Sequence, residues 1–160
     1  WLVGRRQKIP FLLWADIIVP GLILAQAIGR WGNFFNQEAY GYETNLPWAM
    51  FIDGAYRHPT FLYESIWDVL GFALLLALSL RRPPALKPAG CIAACYLVYY
   101  SLGRFFIEHF RTDSLMFGPL RAAQLISIAG IFLGIILLYY SRRQQQTPKS
   151  GQSKPRRVQR

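Results

Sequence analysis

The run from Ile126 to Tyr140 carries no charged residue. A helix through it has no polar stripe to turn toward water, and this constrains the chain more than any other stretch. A helix rises about 1.5 Å per residue, so roughly 20 apolar residues cross about 30 Å of hydrocarbon. Four segments approach that length. Leu120 to Tyr140 contains the uncharged run and places Gly130 and Gly134 in the G-x-x-x-G spacing that suits close helix contact. Phe11 to Ile28 follows Pro10, is interrupted by Asp16 and Gln26, and is expected to bend at Pro20 and Gly21. Phe61 to Leu80 is apolar from Leu70 onward but carries Glu64 and Asp68 before that, whereas Gly90 to Phe110 starts clean and ends in Arg104, Glu108 and His109. The predicted fold class is therefore all-α, a polytopic membrane helical bundle with four spans. A soluble helical protein with a large core is the competing reading, and the uncharged run argues against it.

Cations fix the orientation. The 160 residues are 53% hydrophobic and carry 18 Lys and Arg against 8 Asp and Glu, which is one domain's worth of chain and too apolar for a disordered protein. If the four segments alternate direction, one side receives the stretch before Phe11, the loop Arg81 to Ala89 and everything after Ser141. That side holds thirteen of the 18 cations, among them Arg5, Arg6, Lys8, Arg82, Lys87 and Arg142, and no acid. Lys and Arg gather on the cytoplasmic side of short loops, so this side is expected to be cytoplasmic. Residues 1–141 then form the membrane domain, and residues 142–160 a basic, disordered cytoplasmic tail placed to touch anionic headgroups. Topology accounts for the basic balance, and nucleic-acid binding is a poor competitor because the cations are not interleaved with aromatics. Cys91 and Cys95 lie four apart in an apolar run and give neither a disulfide framework nor a zinc pattern; they read as packing residues, and no metal or cofactor is expected. The chain opens at Trp1 in mid-pattern, so a longer protein is expected.

Topology leaves a second set of charges on the outer half of the bundle. It comprises Arg30, Asn33, Asn36 and Glu38 near the end of the first span, Arg57, His58, Glu64 and Asp68 around the start of the second, and Arg104, Glu108, His109 and Arg111 at the end of the third. Each ionisable group in hydrocarbon costs on the order of 2.5–3.5 kcal/mol by insertion scales, so such groups face inward, pair and mark function. Arg104, Glu108 and Arg111 at i, i+4 and i+7 share one helical stripe, where Glu108 can hold both guanidinium groups. Arg30 and Asn33 are flanked by Gly29 and Gly32, whose missing side chains give a ligand access to the backbone. Internal ion pairs that merely join helices are the plainer explanation. Guanidinium forks nonetheless match phosphate oxygens, and in a membrane the phosphate at hand is a phospholipid headgroup. A phospholipid-consuming enzyme and a non-catalytic lipid-binding subunit or lipid transporter both fit this arrangement. There is no G-x-S-x-G elbow to favour a hydrolase.

Four motifs add a family resemblance. The stretch Gly29-Arg30-Trp31-Gly32-Asn33-Phe34-Phe35-Asn36-Gln37-Glu38-Ala39-Tyr40-Gly41 resembles the signature G-R-x-G-N-F-x-N-x-E-x-x-G of the bacterial prolipoprotein diacylglyceryl transferases. Arg57-His58-Pro59-Thr60-Phe61-Leu62-Tyr63-Glu64, Gly103-Arg104-Phe105-Phe106-Ile107-Glu108-His109-Phe110-Arg111, and the segment from Arg111-Thr112-Asp113 to Gln124 resemble three further family motifs in the same order. The resemblance implies a seven-span inner-membrane enzyme that moves the diacylglyceryl group of phosphatidylglycerol to the lipobox cysteine of a prolipoprotein and releases glycerol phosphate. The four spans would be its C-terminal part, inactive alone. It further implies that Arg30, with Gly41, binds the phosphatidylglycerol headgroup and that Asn33, Glu38, Arg104 and Glu108 serve catalysis. His58, Glu64 and Arg111 are subsidiary candidates, His58 as a base for the incoming thiol.

Overall fold

The computed structural model describes residues 10–117 and 120–146. Its helices are α1 (Phe11–Phe35), α2 (Thr60–Arg81), α3 (Cys91–Ile107) and α4 (Ala122–Gln146). Two short hairpins stand outside them: β1 (Met50–Ile52) with β2 (Ala55–Arg57), and β3 (Met116–Phe117) with β4 (Leu120–Arg121). All four helices are long and apolar enough to cross a membrane, the third when counted through its terminal 3-10 turn to Phe110. The chain is thus a multi-pass helical membrane protein with a small β addition.

The helices alternate in direction. A side chain on Gly90, just before α3, would meet Leu12 near the start of α1 and Ser141 near the end of α4. Arg82 lies 3.7 Å from Asp16, and Arg142 Nε donates to the Ala85 carbonyl at 3.1 Å. The described cations of the loop and of the last helical turns therefore share one end of the bundle. Arg5, Arg6, Lys8 and the tail beyond Gln146 lie outside the described residues, whereas residues 142–146, assigned to the tail from sequence, continue α4. Helix α1 likewise runs past the expected end at Ile28 to Phe35, passing through Pro20 without a break in the helix. Arg30 and Asn33 thus sit on regular helix, because the polar side chain of Arg30 finds partners on neighbouring helices.

Asp16, an unwelcome charge by sequence, is buried and useful. Its Oδ2 accepts the Gly90 N–H at 2.8 Å and its Oδ1 the Ala93 N–H at 2.9 Å. A carboxylate from α1 so satisfies free donors at the N-terminus of α3, which has no side-chain cap of its own. Around it Val19, Ile23, Leu75, Leu86, Cys91, Ile92 and Tyr96 form the apolar core, and both cysteines are free. The G-x-x-x-G prediction is matched by the packing of α4 on α3: a Cβ at Gly130 would lie 2.3 Å from Ser101 Oγ, and one at Gly134 2.7 Å from Val98 Cγ2 and 3.0 Å from the Ala94 carbonyl. The opposite side of α4 leaves Phe132 and Ile136 exposed, as a lipid-facing surface requires.

At the other end the loops are knitted together. Gly41 N–H donates to the His58 carbonyl, His58 N–H to Tyr42, Tyr42 N–H to Phe110 and Thr112 N–H to Tyr40, at 3.0–3.2 Å. Residues 40–43 thereby run as a ribbon between the end of the first hairpin and the segment following α3. The turn of that hairpin is Asp53-Gly54, both at positive φ (48° and 77°), the geometry that matches the twist of paired strands.

Candidate functional site

Under this knitted end, three helices deliver charge to one point. Glu64 of α2 is the hub: its Oε2 lies 2.7 Å from Arg30 Nε of α1, and its Oε1 accepts from Arg104 Nη1 of α3. Arg104 Nη2 then donates to Glu108 Oε2 at 2.7 Å, the i, i+4 pair expected from spacing. Arg30 Nη2 donates to the Tyr100 hydroxyl at 3.0 Å. The result is one continuous series, Arg30–Glu64–Arg104–Glu108, spanning three helices. Its carboxylates are sealed, each 4% exposed, while the Arg30 and Arg104 side chains keep 19% and 17%. The two guanidinium-bearing side chains are thus the more exposed members of the series.

Arg30, Glu64, Trp67, Asp68, Tyr100 and Arg104 line one hollow, closed down too tightly to admit a water molecule. Trp67 is locked in its wall. Its ring stacks on Tyr99 at 4.7 Å, its Nε1 donates to the Tyr99 carbonyl at 3.1 Å, and the Tyr99 hydroxyl donates back to the Trp67 carbonyl at 2.9 Å. The indole lies over Gly103, where a Cβ would come within 2.2 Å of Trp67 Nε1. Glycine precedes Arg104 because the indole occupies the room of a side chain.

The remaining sequence candidates fall around this centre rather than in it. Asn33 follows Arg30 by three residues on the same face of α1, is half-buried, and its side chain makes no hydrogen bond among the described residues. Glu38 is exposed and its Oε1 accepts from Asn36 Nδ2 at 3.1 Å, so the structure does not bring it to the guanidinium pair. Gly29 and Gly32 face open space, with no atom within 4 Å of an added Cβ. Gly41 is a close-packing position: a Cβ there would lie 2.6 Å from His58 Cβ and 3.0 Å from the His58 and Phe110 carbonyls. Arg111 has left the helix. It lies 4.0 Å from Glu108 and pairs chiefly with Asp113, through two bonds of 3.1 Å. His58 Nδ1 is 3.1 Å from the Tyr63 hydroxyl, whose oxygen accepts from Trp48 Nε1 at 2.9 Å.

The signature loop is held in an unusual backbone shape. Gln37 and Ala39 adopt left-handed φ values of 54° and 55°, costly for residues with a Cβ. The Ala39 carbonyl accepts from Thr60 Oγ1, and Gln37 is tied to Phe34 and Asp53 by bonds of 2.9 and 2.8 Å. The Tyr40 hydroxyl donates to Asp53 at 2.5 Å, and this carboxylate holds the phenol above its ordinary value of 10.0.

Two contributors escaped the sequence reading. Tyr100 precedes Arg104 by four residues, a spacing that could have flagged it. Arg121 donates to the carbonyls of Glu108 and Arg111 and to the Tyr42 hydroxyl, at 2.7 Å for Arg111 and 2.8 Å for Tyr42, and so ties off the end of α3. It signals itself only as a cation on the outer side that no motif position claims.

Residues 1–140 match the family model described as prolipoprotein diacylglyceryl transferase. The chain belongs to this family. A phosphatidylglycerol–prolipoprotein diacylglyceryl transferase of Gloeobacter violaceus is 54% identical over 153 residues, which cover 89% of this chain and 56% of that protein. Relatives with the same name from Trichormus variabilis and Clostridioides difficile are each 52% identical, over 147 and 140 residues, covering 84% and 88% of this chain and 52% and 55% of theirs. The chain spans about half the length of these curated relatives. All four motifs read from sequence fall within the matched residues, and three of them supply members of the Arg30–Glu64–Arg104–Glu108 series.

Proposed function

We propose that this chain provides the lipid-gripping part of an enzyme that transfers the diacylglyceryl group of phosphatidylglycerol to the lipobox cysteine of a prolipoprotein signal peptide. The observation that carries the proposal is that Arg30 and Arg104, from different helices, share the Glu64 carboxylate and are more exposed than it is. The names of the relatives, which state this lipid and this acceptor, support it. In the reaction the cysteine sulfur bonds to the glycerol carbon of the lipid. The bond from that carbon to the phosphate oxygen breaks, and glycerol phosphate leaves with the electron pair. The thiol proton passes to a base, because the thiolate is the attacking form. Arg30 grips the headgroup phosphate, and Arg104 meets the charge that builds on the leaving oxygen where water is scarce. Glu64 and Glu108 fix both guanidinium groups, Asn33 offers its amide to lipid oxygens, and Glu38 with Gly41 shapes the rim. Of the subsidiary candidates, His58 and Arg111 stand in the knitted loops above the charged series. The protein would lie in the bacterial inner membrane with the cation-rich end and the tail in the cytoplasm.

The test uses the full-length gene product in phosphatidylglycerol vesicles with a lipobox peptide. The peptide should gain the mass of one diacylglyceryl group, and Arg30→Ala should abolish the gain while the protein remains folded in the membrane. A wild-type protein that leaves the peptide mass unchanged, as a lipid transporter would, overturns the proposal. Near-normal turnover in Arg30→Ala overturns the headgroup grip.

A further inference from the structure

Asp68 stands four residues after Glu64, so it lies on the same face of α2 one turn deeper in the bundle. It is 2% exposed and lines the hollow that Arg30, Tyr100 and Arg104 also line. Its Oδ2 is buried without a hydrogen-bond partner among the described residues. Buried carboxylate oxygens are nearly always paired, and an orphan beside two guanidinium groups calls for an explanation. The explanation lies in how those groups are engaged. Arg104 has two carboxylates, Glu64 and Glu108, and loses little if one contact loosens. Among the described residues Arg30 has only Glu64 and the Tyr100 hydroxyl, and its buried Nε, though 2.7 Å from Glu64, makes no hydrogen bond. A phosphate that meets the exposed part of the Arg30 side chain turns the guanidinium on its axis and away from Glu64, and an N–H group turned inward in this way needs another acceptor.

We propose that Asp68 is a positioning residue for Arg30, accepting an inward N–H of that guanidinium when an anionic lipid headgroup draws it away from Glu64. In the unliganded arrangement the carboxylate waits unpaired; in the liganded one it keeps Arg30 aimed and neutralised. This rests on the phosphatidylglycerol reading of the same site. It predicts an effect on lipid engagement rather than on the bond-breaking step, which Arg104 serves.

The experiment measures transfer by the full-length gene product against phosphatidylglycerol concentration in mixed micelles. Asp68→Asn, which keeps the shape and removes the charge, should raise KM about tenfold, the size of one unpaired polar contact, with kcat little changed. Asp68→Glu should bring KM back toward the wild-type value. A purely structural role would lower melting temperature and yield and leave the KM of the folded fraction alone. A folded Asp68→Asn protein with wild-type KM overturns the proposal, as does an Asp68→Glu protein no better than Asp68→Asn. Asp68→Ser replaces the asparagine variant if that one does not accumulate in membranes. If the wild-type protein shows no transfer at any lipid concentration, the reading of the site fails and this inference falls with it; if only the KM effect is missing, the reading stands and the inference alone is lost.

Discussion

Arg30 Nε stands 2.7 Å from Glu64 Oε2, a contact that ties the outer end of α1 to the opening turns of α2. Because Glu64 holds Arg104 with its other oxygen, this one carboxylate sets the separation of two guanidinium groups. Bridging the two arginines makes it the most sensitive member of the series. Glu64→Gln keeps the volume but leaves two partly buried cations without their shared counter-charge. Breaking buried pairs of this kind costs about 3–5 kcal/mol in soluble proteins. Transfer should fall by about two orders of magnitude or more, and the melting temperature in detergent should drop. Equal activity of Glu64→Gln and wild type in the peptide mass assay would show that the pair does not need its hub.

Arg30→Lys tests geometry apart from charge. Arg30 uses Nε toward Glu64 and Nη2 toward Tyr100 at once, which a planar fork can do and a single ammonium cannot. The lysine variant should remain folded yet transfer little better than Arg30→Ala. Kinetics near those of wild type would mean that positive charge alone suffices.

Gly103→Ala probes the wall of the hollow. The new methyl group would fall within 2.2–2.8 Å of the Trp67 indole, which is fixed by its stack on Tyr99 and two hydrogen bonds. Such overpacking costs roughly 1–3 kcal/mol, and the displaced indole should disturb Arg104 next door. A loss of thermal stability together with reduced transfer is expected, with Trp fluorescence reporting the shift; unchanged values of all three would exclude the clash.

The signature loop offers a paired test. Gly41→Ala drives a methyl group against the carbonyls of His58 and Phe110, main-chain atoms that cannot turn aside, and should destabilise by about 1–3 kcal/mol. Ala39→Gly does the reverse, since Ala39 already holds a left-handed φ of 55° that glycine adopts freely; it should be neutral or stabilising by up to about 1 kcal/mol. Thermal melts of the two variants should move in opposite directions or leave Ala39→Gly unmoved.

Asp16→Asn serves as the control at the far end. Asparagine keeps one acceptor where aspartate had two, so one of the Gly90 and Ala93 N–H groups loses its partner, at a cost of about 1–2 kcal/mol. Stability should fall while the KM for phosphatidylglycerol of the surviving protein stays at the wild-type value, since the outer cluster lies at the opposite end of the bundle.

The hairpins and the fates of individual motif residues were not legible in the chain, and the reasons differ. The hairpin β1–β2 has a readable turn in Asp53-Gly54, but strands of three residues carry too little alternation to announce themselves. Glu38 sits in a motif with Arg30 and Asn33, yet the left-handed turn at Gln37 and Ala39 carries it out to solvent beside Asn36. Gly41, which the resemblance joins to Arg30, packs against the backbone of two other segments, a contact that no local pattern announces.

The order of residues along the chain determined the four spans and the common end at which the motif charges gather, because hydrocarbon thickness and the penalty on exposed charge act on each segment locally. It also determined the Arg104–Glu108 contact, since neighbours four apart on a helix meet whatever surrounds them. Only the tertiary structure decided that Glu64 would be the shared partner of Arg30 and Arg104, that Asp16 would cap another helix, and that Asp68 would be left unpaired. Those outcomes depend on how helices rotate about their axes when they pack, and that rotation is set by contacts between residues far apart in sequence.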